Sequence, residues 1–411
     1  MEEKALFVGL DLGNEESRLC YYDEQQYEVV CVNNSAVPTV LGVKDTGEWL
    51  YGGEAIEADI SGRCELIENG IRSIAEGKPL LVGEKEVKPV FYLATYMRKV
   101  LSLLNGYEPG KGINKLVVTT YYSDKNLSDC IYIALDSLGI KRDRVKVINH
   151  HQSFIYYVMS QSREFWVNDV GMFDFGYNGL HYLQMMMDRR KNPYIVGIKE
   201  KDYSDTVNMS VLGNEGLAFE LDSITQSALH KQILSTLYMV GPGFENGWAD
   251  DIMKKLCSGR RVFKGLKLYA DGACYAARHL AGEGKMEPFV YIDENMIDSY
   301  VTARIYVNAS NQELIVAKAG TPWYEIDNSI DIIPHEEVEM VLNVTNIITR
   351  GNSNHLISLK DIVSRRPDRM SRINIRIRMK DKHSLIVTVK DKGFGEMYQS
   401  SNRIYERIIS I

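Results

Sequence analysis

The chain has 411 residues, of which 45% are hydrophobic and 25% are charged. These values are ordinary for a globular protein, and the length allows two or more domains with sizeable cores. No apolar run is long enough for a membrane-spanning helix, and the acidic start MEEKALFVGL does not resemble a secretory signal. The six cysteines include no CxxC pair, which favours reduced thiols in a cytoplasm over a disulfide framework or a zinc site.

Charge is unevenly distributed. The net charge is −7, and residues 350–411 contain 14 Lys or Arg and 6 Asp or Glu, so this region carries +8 and the remainder carries −15. In SRINIRIRMK, apolar residues from Ile373 to Met379 alternate with polar ones, which predicts a strand with one basic face. The basic residues are Arg372, Arg376, Arg378 and Lys380. We interpret them as a solvated sheet face; the alternative is a contact surface for an anion, a nucleic acid or an acidic domain.

Two regions of different pattern follow each other along the chain. Up to about Glu283, strands alternate with helices, which is typical of an α/β domain. The predicted strands there are ALFVGLDLG, SRLCYYD, YEVVCVN, INKLVVTTYY, RVKVIN and the pair in DVGMFDFGYNGLHYLQMMM. The predicted helices are PVFYLATYMRKVLSLLNGY, NLSDCIYIALDSLGI, residues 152–161, GWADDIMKKLCSG and DGACYAARHLAG, and SITQSALHKQILSTLYMVG combines a helix with a short strand. After Glu283, strand-like runs predominate, which predicts an all-β region.

Two segments share one plan. FVGLDLGNEESRLCYY and VGMFDFGYNGLHYLQM each contain a strand, an Asp-x-Gly sequence, a short turn and a second strand. Glycine in such a turn allows backbone N–H groups to approach phosphate oxygens, and aspartates at the two strand ends, Asp11 and Asp174, are suitable for holding a hydrated magnesium ion. One such hairpin alone is weak evidence, because glycine turns are common.

The order of these segments resembles the actin-like ATPase superfamily and, within it, the DnaK-type heat-shock chaperones. VGLDLGNEES is similar to their first phosphate segment, VKVINHHQSFIYYVMSQ to the start of their connecting helix, and MFDFGYNGLHYLQM to their second phosphate hairpin. LYMVGPGFENGWADDIMKKL and YADGACYAAR are similar to their adenosine segment and final helix. IVAKAGTPWYEI and RINIRIRMKDKHSLIVTVKDKGFGE resemble strands of their substrate-binding domain.

The resemblance implies a fold and a division into domains. Residues 1–285 are expected to form a two-lobed actin-like ATPase (ribonuclease H-like) domain, with lobe I at about 1–165 and lobe II at about 166–285. Residues 286–400 are expected to form an all-β sandwich like the chaperone peptide-binding domain. Residues 401–411 are expected to be a short tail, without the helical lid of the chaperones.

The resemblance also implies a site for ATP or ADP with magnesium between the two lobes. Asp11 and Asp174 match the aspartates that hold magnesium through water. Gln152, or alternatively His150 or His151, is the candidate for positioning the attacking water. The positions that match nucleotide-binding segments are Gly13, Asn14, Gly176, Tyr177, Gly241, Gly243 and Phe244. Ordinary turn geometry for the glycines, helix capping for the aspartates and core packing for Phe244 are the structural alternatives.

Several positions depart from the family pattern. Glu15 and Glu16 replace small hydroxyl residues in the first turn and repel a triphosphate. Tyr177 and Asn178 interrupt the glycines of the second turn, and no lysine or glutamate is well placed for catalysis. Because phosphoryl transfer depends on positioned charge, we expect hydrolysis to be slow or absent.

Three functions remain open at this level. The first is a DnaK-like protein that binds adenine nucleotide weakly, or without efficient hydrolysis, and engages a polypeptide partner. The second is a pseudo-ATPase scaffold that binds no nucleotide, and the third is a filament-forming actin-like protein. No nucleic-acid partner and no membrane insertion are expected, and the expected location is the cytoplasm.

Overall fold

A computed structural model of the chain describes residues 6–32, 36–104, 112–307, 310–334, 339–360 and 366–411. The protein is mixed α/β with several sheets, and its described residues divide into two units. The first unit lies within Met1–Met187 and Ile198–Glu287, and the second within Asp188–Gly197 and Pro288–Ile411. None of the described helices is both long enough and apolar enough to span a membrane.

The first unit contains most of the helices. The elements of its first half are β1 (Leu6–Leu12), β2 (Glu16–Asp23), β3 (Glu28–Cys31), β4 (Val37–Pro38), β5 (Leu41–Val43), β6 (Trp49–Tyr51), α1 (Gly52–Ile60), β7 (Glu65–Ile67), α2 (Gly70–Ala75), β8 (Leu80–Val82), β9 (Lys85–Val87), α3 (Pro89–Leu101), β10 (Ile113–Thr120), α4 (Lys125–Ser137), β11 (Val145–Asn149) and α5 (His150–Ser160). They are followed by β12 (Asp169–Gly176), β13 (Gly179–Asp188), β14 (Tyr194–Asp202), α6 (Leu217–Leu229), β15 (Leu234–Val240), α7 (Asp250–Leu256), β16 (Arg261–Gly265) and α8 (Leu268–Leu280).

The first sheet has the order β11-β10-β1-β2-β3, with β4 beside β2. Strand β1 pairs antiparallel with β2 and parallel with β10, which pairs parallel with β11. Alternate residues of β1 face opposite sides of the sheet. Val8, Leu10 and Leu12 enter a core with α3 and α4, while Phe7 enters a second core with α8. Asp11 has the same parity as Phe7, so its side chain lies on the α8 side at the strand end.

The second sheet repeats this plan. Strand β12 pairs antiparallel with β13 and parallel with β15, which pairs parallel with β16. Strand β14 follows β13 in the sheet order, and helices α6 and α7 share a core with β12, β13 and β15. The two segments that share a sequence plan therefore occupy equivalent positions in their sheets, at β1–β2 and at β12–β13.

Helix α8 packs against β1 and α5 with almost no space between backbones. A Cβ atom on Gly9 would lie 2.4 Å from the carbonyl oxygen of Ala270 and 2.4 Å from the backbone nitrogen of Cys274. A Cβ atom on Gly272 would lie 2.0 Å from the carbonyl oxygen of Ser153. Glycine is therefore required at both positions by this packing.

The second unit is built from strands. They are β17 (Phe289–Tyr291), β18 (Ser299–Val307), β19 (Ser310–Ala317), β20 (Asp327–Ile332), β21 (Glu339–Asn346), β22 (Asn352–Ser358), β23 (Arg372–Asp381), β24 (Ser384–Gly393) and β25 (Ile404–Ser410). Two four-stranded sheets, β19-β18-β21-β22 and β20-β23-β24-β25, contribute apolar side chains to one core. The first residues of β14 belong to this unit and pair parallel with β17.

The predicted strand with a basic face is β23. Ile373, Ile375, Ile377 and Met379 are buried in the core. Three of the four basic side chains pair with acids on neighbouring strands: Arg372 with Asp331, Arg376 with Asp327, and Arg378 with Glu406. These pairs favour the interpretation of a solvated sheet face.

Two expectations are wrong. Residues 401–411 do not form a tail, because β25 pairs antiparallel with β24 as an edge strand. The expectation of reduced thiols fails for Cys20 and Cys31, which are joined in a disulfide. These residues face each other directly across β2 and β3, a proximity created by strand pairing and not by a short sequence spacing.

Candidate functional site

The carboxyl ends of parallel strands from both sheets border one cleft, whose volume is about 100 Å³. Ligands of open α/β sheets bind at this edge. Asp11 and Asp174 lie near the ends of β1 and β12, and Tyr121, His150 and Gly241 directly follow β10, β11 and β15. The predicted positions that line the cleft are Asp11, Gly13, Asn14, Asp174, Gly176, Tyr177 and Gly241.

The two aspartates are each bound by a protein side chain. Asp11 Oδ1 lies 2.8 Å from His150 Nε2, and the hydroxyl of Tyr269 donates a hydrogen bond of 2.6 Å to Asp174 Oδ2. The rings of His150 and Tyr269 stack with centroids 3.8 Å apart. Asp11, His150, Tyr269 and Asp174 thus form a continuous network, which we call the cleft network.

Burial controls the ionisation of the Asp174 end of this network. It raises the pKa of Asp174, although the hydrogen bond from Tyr269 and the nearby histidines act in the opposite direction. Burial, followed by the proximity of Asp174, also raises the pKa of Tyr269 well above its usual value. Tyr269 therefore stays protonated and donates to Asp174.

Local sequence explains why His150 points into the cleft. Strand β11 ends at Asn149, whose side chain accepts a hydrogen bond of 2.9 Å from the backbone N–H of Gln152. Gln152 Oε1 accepts in return from the backbone N–H of Asn149, which completes a capping box at the start of α5. His150 is therefore the first helical residue. Gln152, predicted to position water, is a capping residue and is not among the described residues that line the cleft.

The first turn is held by its own side chains. A Cβ atom on Gly13 would lie 2.3 Å from the carbonyl oxygen of Glu16, so the turn needs glycine there. Asn14 Nδ2 donates to Asn69 Oδ1 at 2.7 Å, and Asn14 Oδ1 accepts from the backbone N–H of Arg72 at 3.0 Å. Asn14 thus caps the first turn of α2, and these hydrogen bonds compete with any contact to a nucleotide.

The second turn differs from the first in its use of glycine. A Cβ atom on Gly176 would meet only the Asp174 carboxylate, at 3.5 Å, whereas Gly241 has a φ of +103° and lies against the carbonyl oxygen of Phe175. The hydroxyl of Tyr177 donates a long hydrogen bond of 3.5 Å to Glu16 Oε2. This contact joins the two turns across the cleft.

Two predicted nucleotide-binding residues belong to the core of the second sheet. A Cβ atom on Gly243 would lie 2.3 Å from the ring of Phe175, so Gly243 is required by packing. Phe244 is fully buried, and its ring stacks on Trp248 with centroids 6.2 Å apart. Neither is among the described residues that line the cleft, and the Phe244 ring is not available to an adenine base.

A second polar group adjoins the cleft network. His181 Nδ1 lies 2.9 Å from Glu200 Oε1, and His181 Nε2 lies 3.2 Å from the carbonyl oxygen of Asn178. Both ring nitrogens face acceptors, which favours the doubly protonated imidazolium. Burial lowers the pKa of His181, but the hydrogen bonds to Glu200 and Asn178 outweigh it and the pKa is raised. His151 Nε2 lies 3.2 Å from Glu200 Oε2, and the hydrogen bonds from His151 and His181 lower the pKa of Glu200.

The charge of the cleft does not favour an anion. Its described lining includes the acids Asp11, Glu15 and Glu16, besides Asp174, whose neutral form burial favours. Arg18 is the only Lys or Arg in that lining, and the imidazolium of His181 is already paired with Glu200. Arg18 Nη2 lies 2.9 Å from Glu16 Oε1, so its charge is already paired. The acids would repel a triphosphate that enters this cleft. At a separation of a few ångströms, each pair of like charges costs about 1 kcal/mol in water and more when desolvated.

The residues present do not fit a hydrated magnesium ion in this arrangement. Such an ion requires water between itself and each aspartate, and it favours ionised carboxylates. Here Asp11 is paired with His150, Asp174 accepts from Tyr269, and burial favours the neutral form of Asp174. A cleft of about 100 Å³ is also smaller than the roughly 300–1,000 Å³ that small-molecule sites occupy.

Two family models match most of the chain. Residues 26–294 match a model described as the C-terminal part of a family of unknown function, DUF5716. The chain belongs to the DUF5716 family. The DUF5716 match contains His150, Asp174 and Tyr269 and begins after the Asp11 hairpin. Residues 296–411 match a domain of unknown function, DUF8552, and no curated protein matches this DUF5716 member.

Proposed function

We propose that this chain is a pseudo-ATPase scaffold: a DnaK-like protein whose nucleotide cleft is closed by its own side chains and which acts by binding a polypeptide partner in the cytoplasm. The fold we propose is a two-lobed actin-like (ribonuclease H-like) domain followed by a β-sandwich. Its support is the shared plan of the two sheets, with hairpins at β1–β2 and β12–β13, and the common core of the two later sheets.

One observation carries the proposal. The two aspartates that match magnesium-holding positions are joined to each other through His150 and Tyr269. A magnesium nucleotide would have to displace His150 to engage Asp11 Oδ1 and Tyr269 to engage Asp174 Oδ2.

The free energy needed to break these two hydrogen bonds is large enough to abolish micromolar binding of a nucleotide. A hydrogen bond to a charged group contributes about 1.5–3 kcal/mol, so breaking two costs about 3–6 kcal/mol. At 1.4 kcal/mol per factor of ten, an affinity would fall by roughly a hundredfold to ten-thousandfold. A micromolar site would become one of roughly 0.1–10 mM.

A second candidate is a DnaK-like protein that binds ATP or ADP with magnesium weakly and does not hydrolyse it efficiently. It is favoured by the convergence of Asp11, Gly13, Asp174, Gly176 and Gly241 on one cleft. This candidate requires the cleft to open and the cleft network to separate when nucleotide enters.

Titration calorimetry with magnesium–ATP separates the two candidates. We expect no heat of binding and no thermal shift from the wild type at nucleotide concentrations up to about 0.01 mM. His150→Ala combined with Tyr269→Ala removes both partners of the aspartates and is expected to create measurable binding.

Two single variants control this experiment. Asp11→Ala removes a predicted magnesium position, and Asp45→Ala removes an exposed aspartate elsewhere in the unit. Micromolar binding by the wild type that Asp11→Ala abolishes and Asp45→Ala preserves would overturn the scaffold proposal in favour of the second candidate.

A further inference from the structure

A group of metal-ligating side chains lies outside the cleft network, between β2, β3 and α8. Cys20 is fully buried on β2, Cys31 is half-buried opposite it on β3, and Asp271 on α8 is 8% exposed. One potential ligand atom from each of the three lies within 4.8 Å of the others. Among the described residues this is the one group of at least three Cys, His, Asp or Glu that meets this distance.

The geometry points to a redox-gated zinc site formed by Cys20, Cys31 and Asp271, which holds Zn²⁺ when the cysteines are reduced and releases it when they form their disulfide. The site is independent of the proposed function, since it uses no residue of the cleft network. Its ligands are two thiolates and one carboxylate, with a fourth position open to water.

The distances suit a tetrahedral ion. With Zn–S of about 2.3 Å and Zn–O of about 2.1 Å, a tetrahedral site separates a sulfur from an oxygen by roughly 3.6 Å. Cys31 Sγ lies 3.9 Å from Asp271 Oδ1. Two thiolate ligands need a separation of roughly 3.8 Å, which breaking the disulfide permits.

The ligand set selects a soft or borderline cation. Thiolates favour zinc over magnesium or calcium, which prefer oxygen ligands alone. Two thiolates and a carboxylate around Zn²⁺ leave one negative charge, and Lys267 Nζ lies 3.8 Å from Asp271 Oδ1 to balance it.

A bound cation would also stabilise the buried carboxylate of Asp271 more than it would stabilise an exposed one. Asp271 is buried whereas its partner Lys267 is half exposed, so solvent screens the charge of Lys267. A divalent ion in direct contact stabilises the ionised carboxylate that burial disfavours.

The chemical steps balance with a small thiol as reductant. One thiolate attacks Sγ of Cys31, the more exposed of the two cysteines, and Cys20 leaves as a thiolate. A second thiol then releases Cys31, so two thiols supply two electrons and two protons and depart as a disulfide. Zinc binding displaces the protons of the two cysteine thiols.

Metal titration of the full chain tests the site. The protein is reduced with a phosphine, freed of metal and titrated with Co²⁺ and then Zn²⁺. We expect one equivalent of Co²⁺ to produce a sulfur-to-cobalt charge-transfer absorption that Zn²⁺ abolishes and that the oxidised protein lacks. No such absorption from the reduced wild type would overturn the proposal.

Three variants locate the ion. Cys31→Ser and Asp271→Asn are each expected to weaken zinc binding by at least about tenfold. Cys257→Ser removes an exposed free thiol and is expected to leave zinc binding unchanged. Equal zinc affinity in Cys31→Ser and the wild type would contradict the assignment.

A measurement on the wild type covers the case in which a variant does not fold. Zinc is expected to slow alkylation of Cys31 in the reduced protein, as followed by mass spectrometry of its peptide, while Cys257 reacts at the same rate with and without zinc. Alkylation of Cys31 that is insensitive to zinc would also overturn the proposal.

Discussion

At the scale of single residues, Asp391 in the second unit is a buried and fully hydrogen-bonded charge. Its side chain has no exposed surface and forms a bidentate ion pair with Arg366, at 2.7 Å and 2.6 Å. It also accepts hydrogen bonds from the backbone and hydroxyl of Ser401 and from the backbone of Gly393. Because these donors approach both carboxylate oxygens, they favour the ionised form of Asp391.

Removal of Arg366 is predicted to destabilise the protein strongly. Arg366→Ala leaves a buried carboxylate without its cation, which costs about 3–5 kcal/mol of unfolding free energy. Arg376→Ala is the matched control, because its pair with Asp327 is about half exposed, with side-chain exposures of 51% and 46%, and its loss should cost much less. Urea unfolding at pH 7 measures both, and equal losses would contradict the prediction.

The same pair makes stability depend on pH. Burial raises the pKa of Asp391, but hydrogen bonds from Arg366, Ser401 and Gly393 outweigh it, and the pKa is well below its usual value. The stabilisation is therefore complete above about pH 4 and is lost as the pH falls toward the pKa of the folded state. Below pH 4 the unfolding free energies of wild type and Arg366→Ala should converge.

In the cleft, the sequence predicts some of the residues that meet but not their hydrogen-bond partners. The shared hairpin plan predicts that Asp11 and Asp174 lie close together, and the structure brings both to one cleft. Of their partners, His150 is a candidate from the sequence for positioning water but not for binding Asp11, and Tyr269 carries no signal. Tyr269 donates to Asp174 across 95 residues of sequence, and only the packing of α8 makes that contact. Tyr269 could have been considered because it lies at the start of α8, in the segment YADGACYAAR that carries the resemblance, but its role depends on tertiary contact.

At the scale of elements, α8 is defined by small side chains. Ala270, Gly272, Ala273, Ala276 and Ala277 are all buried. They allow the helix to approach β1 and α5 so closely that Ser153 Oγ donates a hydrogen bond of 2.5 Å to the carbonyl oxygen of Tyr269. The position of Tyr269 in the cleft follows from this close approach.

A single methyl group on α8 is predicted to disturb it. Gly272→Ala gains up to about 1 kcal/mol in helix propensity but places Cβ 2.0 Å from Ser153 O, so backbone must shift and the net loss is about 1–3 kcal/mol. Gly53→Ala, in α1 with nothing within 4 Å of the added Cβ, is expected to be neutral or stabilising. Thermal unfolding of both variants checks this, and a stabilised Gly272→Ala would refute the packing argument.

Edge strands show why some elements are hard to predict. β23 was visible because buried and exposed residues alternate along it. β25 gives no such signal, since Ile409 is its only buried residue. An edge strand that buries little surface is held mainly by backbone hydrogen bonds to one neighbour, and these hydrogen bonds leave no pattern in the sequence.

At the scale of the whole molecule, the chain is organised around separate cores. The two later sheets share one core in the second unit, and the cores formed with α3, α4, α6 and α8 lie in the first. The sequence indicated this division near residue 285, where strands replace helices. It gave no sign that residues 188–197 belong with the second unit, because that assignment depends on pairing of β14 with β17.

Two cores predict two unfolding events. In differential scanning calorimetry we expect two transitions, of which Arg366→Ala lowers one and Gly272→Ala lowers the other, because each residue lies in a different unit. A single transition shifted equally by both variants would show that the units unfold together.

Helix α8 is translated long after the strands against which it packs. Cys274 Sγ donates a hydrogen bond of 3.4 Å to the carbonyl oxygen of Phe7, a contact between residues 267 positions apart. At roughly 5–20 residues per second, a ribosome needs about 13–53 s to add that length of chain. During this interval one face of the opening strands has no helix against it. The nascent chain therefore exposes apolar surface until translation has almost completed the first unit, and slower elongation before α8 would lengthen its exposure to aggregation.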